Sequence, residues 1–388
     1  MRGPLRPFIG IVGVALMAGV ACSANPRGSF GVSSPPPQPS GGATWSHLAW
    51  QEAGPLTEFG QDARIEALAE RDGIVLAGGT TNPLVPDGLI LLTEDGRAWQ
   101  RATDEDLRGV EISDVVATAD GFVAVGFEPR VDPPALDATG VVLASPDGRD
   151  WERLATLPGA WLSRIAAGPS GFLAVGEVEM KGVVFASADA RRWDQLPSAS
   201  AFGGASVVDA AAVGGGWVAV GSSHGRAHAW TSPDGRTWTS APMDGADPVP
   251  GIAAVEVRAI TTAGTGLMAL GTDDPPCEGD PEWCPHYGAA WWSADGTRWL
   301  RLPTEGPLGQ WGQRVFGAGD AGFVVLDGSA ALLSTDGWEW NEVPSNGPAP
   351  RYLYVDRAVL AGDLFVVAGM WIGKEPAALG VGAARVRP

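Results

Sequence analysis

Ser145-Pro-Asp147-Gly148-Arg-Asp-Trp151 recurs, with small changes, six times along the chain. The other copies are Thr93-Glu-Asp95-Gly96-Arg-Ala-Trp99, Ser187-Ala-Asp189-Ala190-Arg-Arg-Trp193, Ser232-Pro-Asp234-Gly235-Arg-Thr-Trp238, Ser293-Ala-Asp295-Gly296-Thr-Arg-Trp299 and Ser334-Thr-Asp336-Gly337-Trp-Glu-Trp340. A recurring pattern marks one supersecondary unit repeated many times. The chemistry of the box is that of a turn. Ser, Pro and Gly suit the first, second and fourth positions of a type I turn, and Gly takes a left-handed conformation without steric cost. The tryptophan then opens the next strand and is large enough to wedge between units, burying roughly 150–250 Å². In the third copy Ala190 replaces the glycine, which predicts a different turn there or strain of about 1 kcal/mol.

Upstream of each box lies a short apolar run bounded by turn residues, such as Gly121-Phe-Val-Ala-Val-Gly126 or Gly216-Trp-Val-Ala-Val-Gly221. Seven such runs occur, the last being Asp363-Leu-Phe-Val-Val-Ala-Gly369, and they read as buried strands. With a strand before each run, one leading into the box and one after the tryptophan, each unit holds four short antiparallel strands. Units of roughly 40–60 residues built this way are propeller blades. Seven runs against six boxes leave one blade short of an outer strand. Gly42-Ala-Thr-Trp45-Ser-His-Leu48 repeats the spacing of Gly148-Arg-Asp-Trp151-Glu-Arg-Leu154, so the expected fold is all-β, a seven-bladed propeller over residues 44–388 whose last blade is completed by an N-terminal strand. Closure would remove exposed strand edges. The alternative is six blades with irregular ends.

On these boxes and runs the chain resembles the Asp-box, or bacterial neuraminidase repeat, propellers, a superfamily of sialidases, other glycosidases and non-catalytic receptors. The resemblance covers nearly all of 44–388. The usual box carries one more residue between Asp and Gly, so this is a variant. It implies that the boxes sit between the third and fourth strands, away from the ligand face, and that Asp95, Asp147, Asp189, Asp234, Asp295 and Asp336 are structural together with Trp99, Trp151, Trp193, Trp238, Trp299 and Trp340. A sialidase would further need clustered arginines, a tyrosine nucleophile with a partner glutamate, and an acid/base aspartate. Arg64-Ile-Glu66 stands where the family's arginine motif would, but lacks its proline. Of the tyrosines, Tyr352 and Tyr354 fall in the last blade near Arg351, with Glu342 upstream, and Tyr287 lies in an inserted loop. The full set is not recognisable.

The formal net charge is −19, and near −21 once the two arginines of the first 21 residues are removed. Such a chain repels nucleic acid, and no basic stripe runs through it. Residues 1–21 read as an export signal: Arg2 and Arg6, an apolar stretch from Phe8 to Val20, then Ala21 before Cys22. This resembles a bacterial lipoprotein signal with Cys22 as the lipidated residue, although Gly19 stands where leucine is usual. A cleaved secretory signal or a retained anchor are the alternatives. Residues 22–43, rich in Pro, Ser and Gly, read as a tether. Cys277 and Cys284 remain, close enough in an exported chain to form a disulfide. His286 and nearby acids raise a metal reading, but the spacing fits no standard zinc pattern.

Propeller ligands bind at the mouth framed by second-to-third-strand loops and inter-blade connections. Long loops fall at 78–88, 127–140, 272–288 and 370–379. The 272–288 loop combines the cysteine pair with acids and aromatics, which makes Asp273, Asp274, Glu278, Trp283 and Tyr287 candidate ligand- or partner-binding residues. Trp311 joins them from the connection before the sixth blade, and Asp104–Asp106, 240–255 and Trp311–Arg314 line the same mouth. The four histidines (His47, His224, His228, His286) support no Ser-His-Asp set. The expectation is a monomeric, membrane-anchored binding or scaffolding module for an envelope protein or glycan, with no cofactor or metal and the glycoside hydrolase as its alternative.

Overall fold

The computed structural model describes residues 45–387 apart from 52–53, 56, 60–61, 83–85, 131–136, 278–285, 305, 310–313, 328–329, 347–352 and 372–377. Residues 1–44, with the export signal, Cys22 and the tether, lie outside the described residues. The described chain forms seven antiparallel sheets arranged as blades in a ring. Their innermost strands are Arg64–Arg71, Glu111–Thr118, Ala160–Gly168, Ser206–Val213, Ala254–Ala263, Val315–Gly317 and Leu353–Ala361. Each touches the innermost strand of the next blade, and the seventh touches the first.

The ring closes as the spacing of Trp45 predicts. His47–Trp50 pairs antiparallel with the last strand, Ala378–Arg387, in the register Leu48↔Val386. It thereby supplies the outer strand of blade 7. Leu48 is fully buried, and Trp45 packs edge-on against Phe365 at 5.1 Å. The N-terminal tryptophan therefore does for the joint between blades 6 and 7 what box tryptophans do elsewhere. Trp151 lies in the joint of blades 1 and 2, Trp193 in that of 2 and 3, Trp238 in 3 and 4, Trp299 in 4 and 5, and Trp340 in 5 and 6. The core is thus a series of inter-blade clusters, and each blade is stabilised by apolar area shared with its neighbours.

All six box turns share one geometry. The serine or threonine hydroxyl accepts the glycine N–H at 2.8–2.9 Å in five copies. The aspartate accepts the N–H groups that follow it, for example Arg236 at 2.8 Å and Thr237 at 2.7 Å. These backbone donors hold the carboxyl of Asp234 down at about 2, and lower those of Asp95, Asp147 and Asp189 as well. Ala190 keeps the same turn with φ +59°, so the substitution is met by backbone strain and not by a new turn. The glycine has a second role. At Gly296 a Cβ would stand 2.2 Å from Cγ2 of Val218 on the preceding blade, so the turn is also a point of close blade contact.

Candidate functional site

Alternating strand direction puts the two ends of every blade to different uses. The first strand begins, the second ends and the third begins on one face, which also receives the inter-blade connections. The boxes, joining third to fourth strands, fall on the other. Six innermost strands break register near their beginning, at Ile65/Ala67, Ile112/Asp114, Leu162/Arg164, Val207/Asp209, Val257/Ala259 and Val355/Arg357. A bulge twists the strand and re-aims the following side chain. Repeated around the ring, it turns one residue per blade toward the axis just inside the loop-bearing mouth.

There the channel widens to a cavity of about 630 Å³. Arg164, Arg258, Arg314 and Arg357 line it together with Asp114, Asp209 and Asp356. Four arginines thus face three aspartates in a chain whose net charge is −19.

Two of those aspartates brace the ring. Asp114 accepts the N–H of Val115 on its own strand and of Ile165 on the next blade, each at 2.9 Å. Asp209 repeats this with Ala210 at 2.9 Å and Ile260 at 3.0 Å. Burial pushes the Asp209 carboxyl up to about 6, against the pull of Arg164 and the two donors, with the nearby Asp114 adding to the rise. Burial raises Asp114 too, again opposed by Arg164. Arg164 therefore sits between the carboxyls of Asp114 and Asp209 and donates to the carbonyl of Ser163 at 2.8 Å.

Arg357 is held firmly, donating to the carbonyl of Glu66 and to that of Asp356 at 2.9 Å, whereas Arg258 and Arg314 are paired loosely. Arg357 reaches Glu66 of blade 1 at 3.3 Å and Arg314 reaches Asp356 at 3.6 Å. Arg258 meets Glu256 of its own strand at 3.4 Å and is half exposed. Pairs at such exposure are worth only about 0–1 kcal/mol, so Arg258 and Arg314 can exchange partners for a ligand anion at small cost. Beside this cluster, at the start of the blade 2 inner strand, Glu111 has its carboxyl raised by burial and by Glu66, with Arg64 opposing.

Asp273, Asp274 and Tyr287, the described members of the nominated 272–288 set, do not line this cavity. Asp273 forms a buried ion pair with Arg301 at 2.5 Å, and the guanidinium lies over Trp291 at 4.4 Å. Asp274 is bonded to His286 Nδ1 at 2.7 Å. Tyr287 packs against the joint of blades 4 and 5. These three brace the base of the 272–288 loop, and Glu278, Trp283, Cys284 and Trp311 lie outside the described residues. Among the described residues no tyrosine lines the cavity. Tyr352 is not described, and Glu342 lies on an outer strand. Asp104 and Asp106 accept the N–H groups of Trp151 at 3.0 Å and Arg153 at 3.1 Å, tying a connection to the outer strand of blade 2. His228 bonds the Ser223 hydroxyl at 3.1 Å, and His224 occupies a hairpin turn with φ +50°.

Of the charged cavity residues, the sequence reading reached only Arg314, at the end of a mouth-lining connection. A signal for the others does exist. In blades 2 to 5 the residue that faces the axis stands seven before the glycine opening the second strand: Asp114, Arg164, Asp209 and Ala259 against Gly121, Gly171, Gly216 and Gly266.

No family model matches the chain, and no curated protein is similar to it. Solved propellers are similar in fold. The GH93 α-L-arabinofuranosidase of Fusarium graminearum, in complex with arabinobiose, is 12% identical over 84% of this chain and 93% of its own, with a TM-score of 0.46. The α-L-arabinanase of Penicillium chrysogenum, also with arabinobiose, is 13% identical over 88% and 99%, with a TM-score of 0.46. Trypanosoma rangeli sialidase, with the inhibitor DANA, is 11% identical over 84% of this chain and 55% of its own, with a TM-score of 0.41. The likeness is one of fold; the ligands in those names belong to those proteins.

Proposed function

We propose that this protein is a non-catalytic receptor for an anionic glycan of the cell envelope, bound in the channel mouth. The observation that carries the reading is the set of four arginines converging on one open cavity of an otherwise acidic chain. Four guanidiniums against three carboxyls leave the lining cationic by one formal charge, which draws an anion into the mouth of an acidic chain. Guanidinium groups are matched to carboxylate and sulfate by their paired donors. The interleaved carboxylates would accept hydrogen bonds from sugar hydroxyls. The Ser/Thr-x-Asp-Gly boxes fit a variant Asp-box propeller. On the same reading Cys22 is the lipid anchor, 22–43 the tether that presents the domain outside the membrane, and Cys277–Cys284 a disulfide that staples the 272–288 loop.

Glucuronate binding tests the reading. Titration by calorimetry should show binding that weakens with salt and is lost in Arg258→Ala/Arg314→Ala, whose parent side chains are about half exposed and whose ion pairs, at 3.4 and 3.6 Å, contribute little to stability. Salt-independent binding, or none, would reject it.

A second reading, the glycoside hydrolase, is favoured by Glu111. A carboxyl whose pKa is raised by burial and by a neighbouring carboxylate has the environment of a general acid. Turnover of a fluorogenic glycoside that disappears in Glu111→Gln would replace the receptor by the enzyme.

A further inference from the structure

Among the described residues one large aromatic ring at the mouth is left open. Trp161, the second residue of the blade 3 inner strand, is 44% exposed. Its ring lies against Phe127 of blade 2, with centroids 3.9 Å apart and planes inclined by 32°. Phe127 is buried, so the pair is anchored in the joint between two blades and its orientation is fixed before any ligand arrives. The flanks are acidic: Glu177 stands directly across the sheet from Trp161, and Glu111 across from Phe127. Blade 3 also has a tight hairpin on this face, turning through Glu179 and Met180, both with positive φ. The blade 3 connection itself is therefore short beside Trp161.

Trp161 and Arg164 share a strand and are three residues apart, about 10 Å at the usual rise per residue. A ligand anion held among the channel arginines would place the next sugar of its chain near the open indole. We propose that the Trp161–Phe127 pair is a stacking subsite for an uncharged hexose linked to the anionic sugar in the channel. The proposal rests on the channel reading and sharpens it. Glu111 and Glu177 accept hydrogen bonds from the hydroxyls of the stacked sugar, and Glu177 repels a second anion. The ligand class is thus a glycan in which charged and neutral residues adjoin, not a polyanion.

Calorimetry on the full chain separates the two ideas. The probes are glucuronate, glucuronosyl-glucose disaccharides of 1→3 and 1→4 linkage, and neutral cellobiose. At least one charged disaccharide should bind about tenfold tighter than glucuronate, since covering half an indole is worth more than the 1.4 kcal/mol that a factor of ten requires. Trp161→Ala should remove that gain and leave glucuronate affinity unchanged, which also shows that the variant is folded. Trp161→Phe should retain part of it. A gain that is absent, or that survives in Trp161→Ala, overturns the subsite and leaves the channel reading standing. Failure of glucuronate itself to bind overturns the channel reading and the subsite with it.

Discussion

Replacing Asp209 by asparagine should change how stability depends on pH, with a sign and size that follow from the site. Asp209 is 8% exposed, and burial lifts its carboxyl from an ordinary 3.8 to about 6. A folded-state pKa above the unfolded value means that the fold favours the protonated acid. Its contribution is therefore fully present below about pH 3.8 and is lost as pH rises through about 6. Two units of difference amount to about 3 kcal/mol. Asparagine cannot ionise. It keeps one acceptor for the N–H of Ala210 or Ile260 and turns its amide toward the other, a penalty that does not vary with pH. Urea unfolding of both proteins from about pH 4 to 8 should show the wild type losing about 3 kcal/mol relative to Asp209→Asn, most of it below pH 7. The box aspartates, held low by their backbone donors, give the opposite slope in both proteins and cancel in the difference. A difference that stays flat would refute the argument. One that grows in favour of the wild type with rising pH would show that Arg164 and the two N–H donors outweigh burial.

Four further outcomes follow from the ring. Gly296→Ala adds a methyl to a turn with φ +82° and drives it to 2.2 Å from Val218, so unfolding should report a loss of about 2–4 kcal/mol. Ala190→Gly should stay within about 1 kcal/mol of zero, because relief of left-handed strain offsets the lost methyl burial; a gain above that would mean the strain is underestimated. Leu48→Ala empties a fully buried position in the strand that closes the ring and should cost about 2–5 kcal/mol in thermal or urea unfolding, with no more than a small loss expected if closure were incidental. Arg301→Met leaves Asp273 buried without its partner and should cost about 3–5 kcal/mol, most of which Asp273→Leu in the same chain should restore, as double-mutant unfolding would measure.

The two halves of the molecule were unequally legible. Ser-x-Asp-Gly-x-x-Trp is readable because a tight turn has few chemical solutions, and seven apolar runs give the blade count without any knowledge of packing. Trp45 and Leu48 announce closure because they repeat the spacing of Trp151 and Leu154. Even the departure at Ala190 was readable as a departure, although only the structure shows that strain and not a new turn resolves it.

The candidate site was not legible in this way, and the reason is physical. A binding site on a ring is assembled from one residue per blade, so its members stand about fifty positions apart and share no local pattern. Arg164 reads as an ordinary strand arginine until a bulge at Leu162/Arg164 turns it to the axis between Asp114 and Asp209. The acids and aromatics of the 272–288 loop drew attention because they cluster in sequence, yet Asp273 is engaged by Arg301 from another strand of the same blade. Local chemistry fixes turns, strands and their number, because those depend on neighbours in the chain. Which charges meet, and which of them remain free to meet a ligand, depends on the ring's curvature, and only the closed tertiary structure decides that.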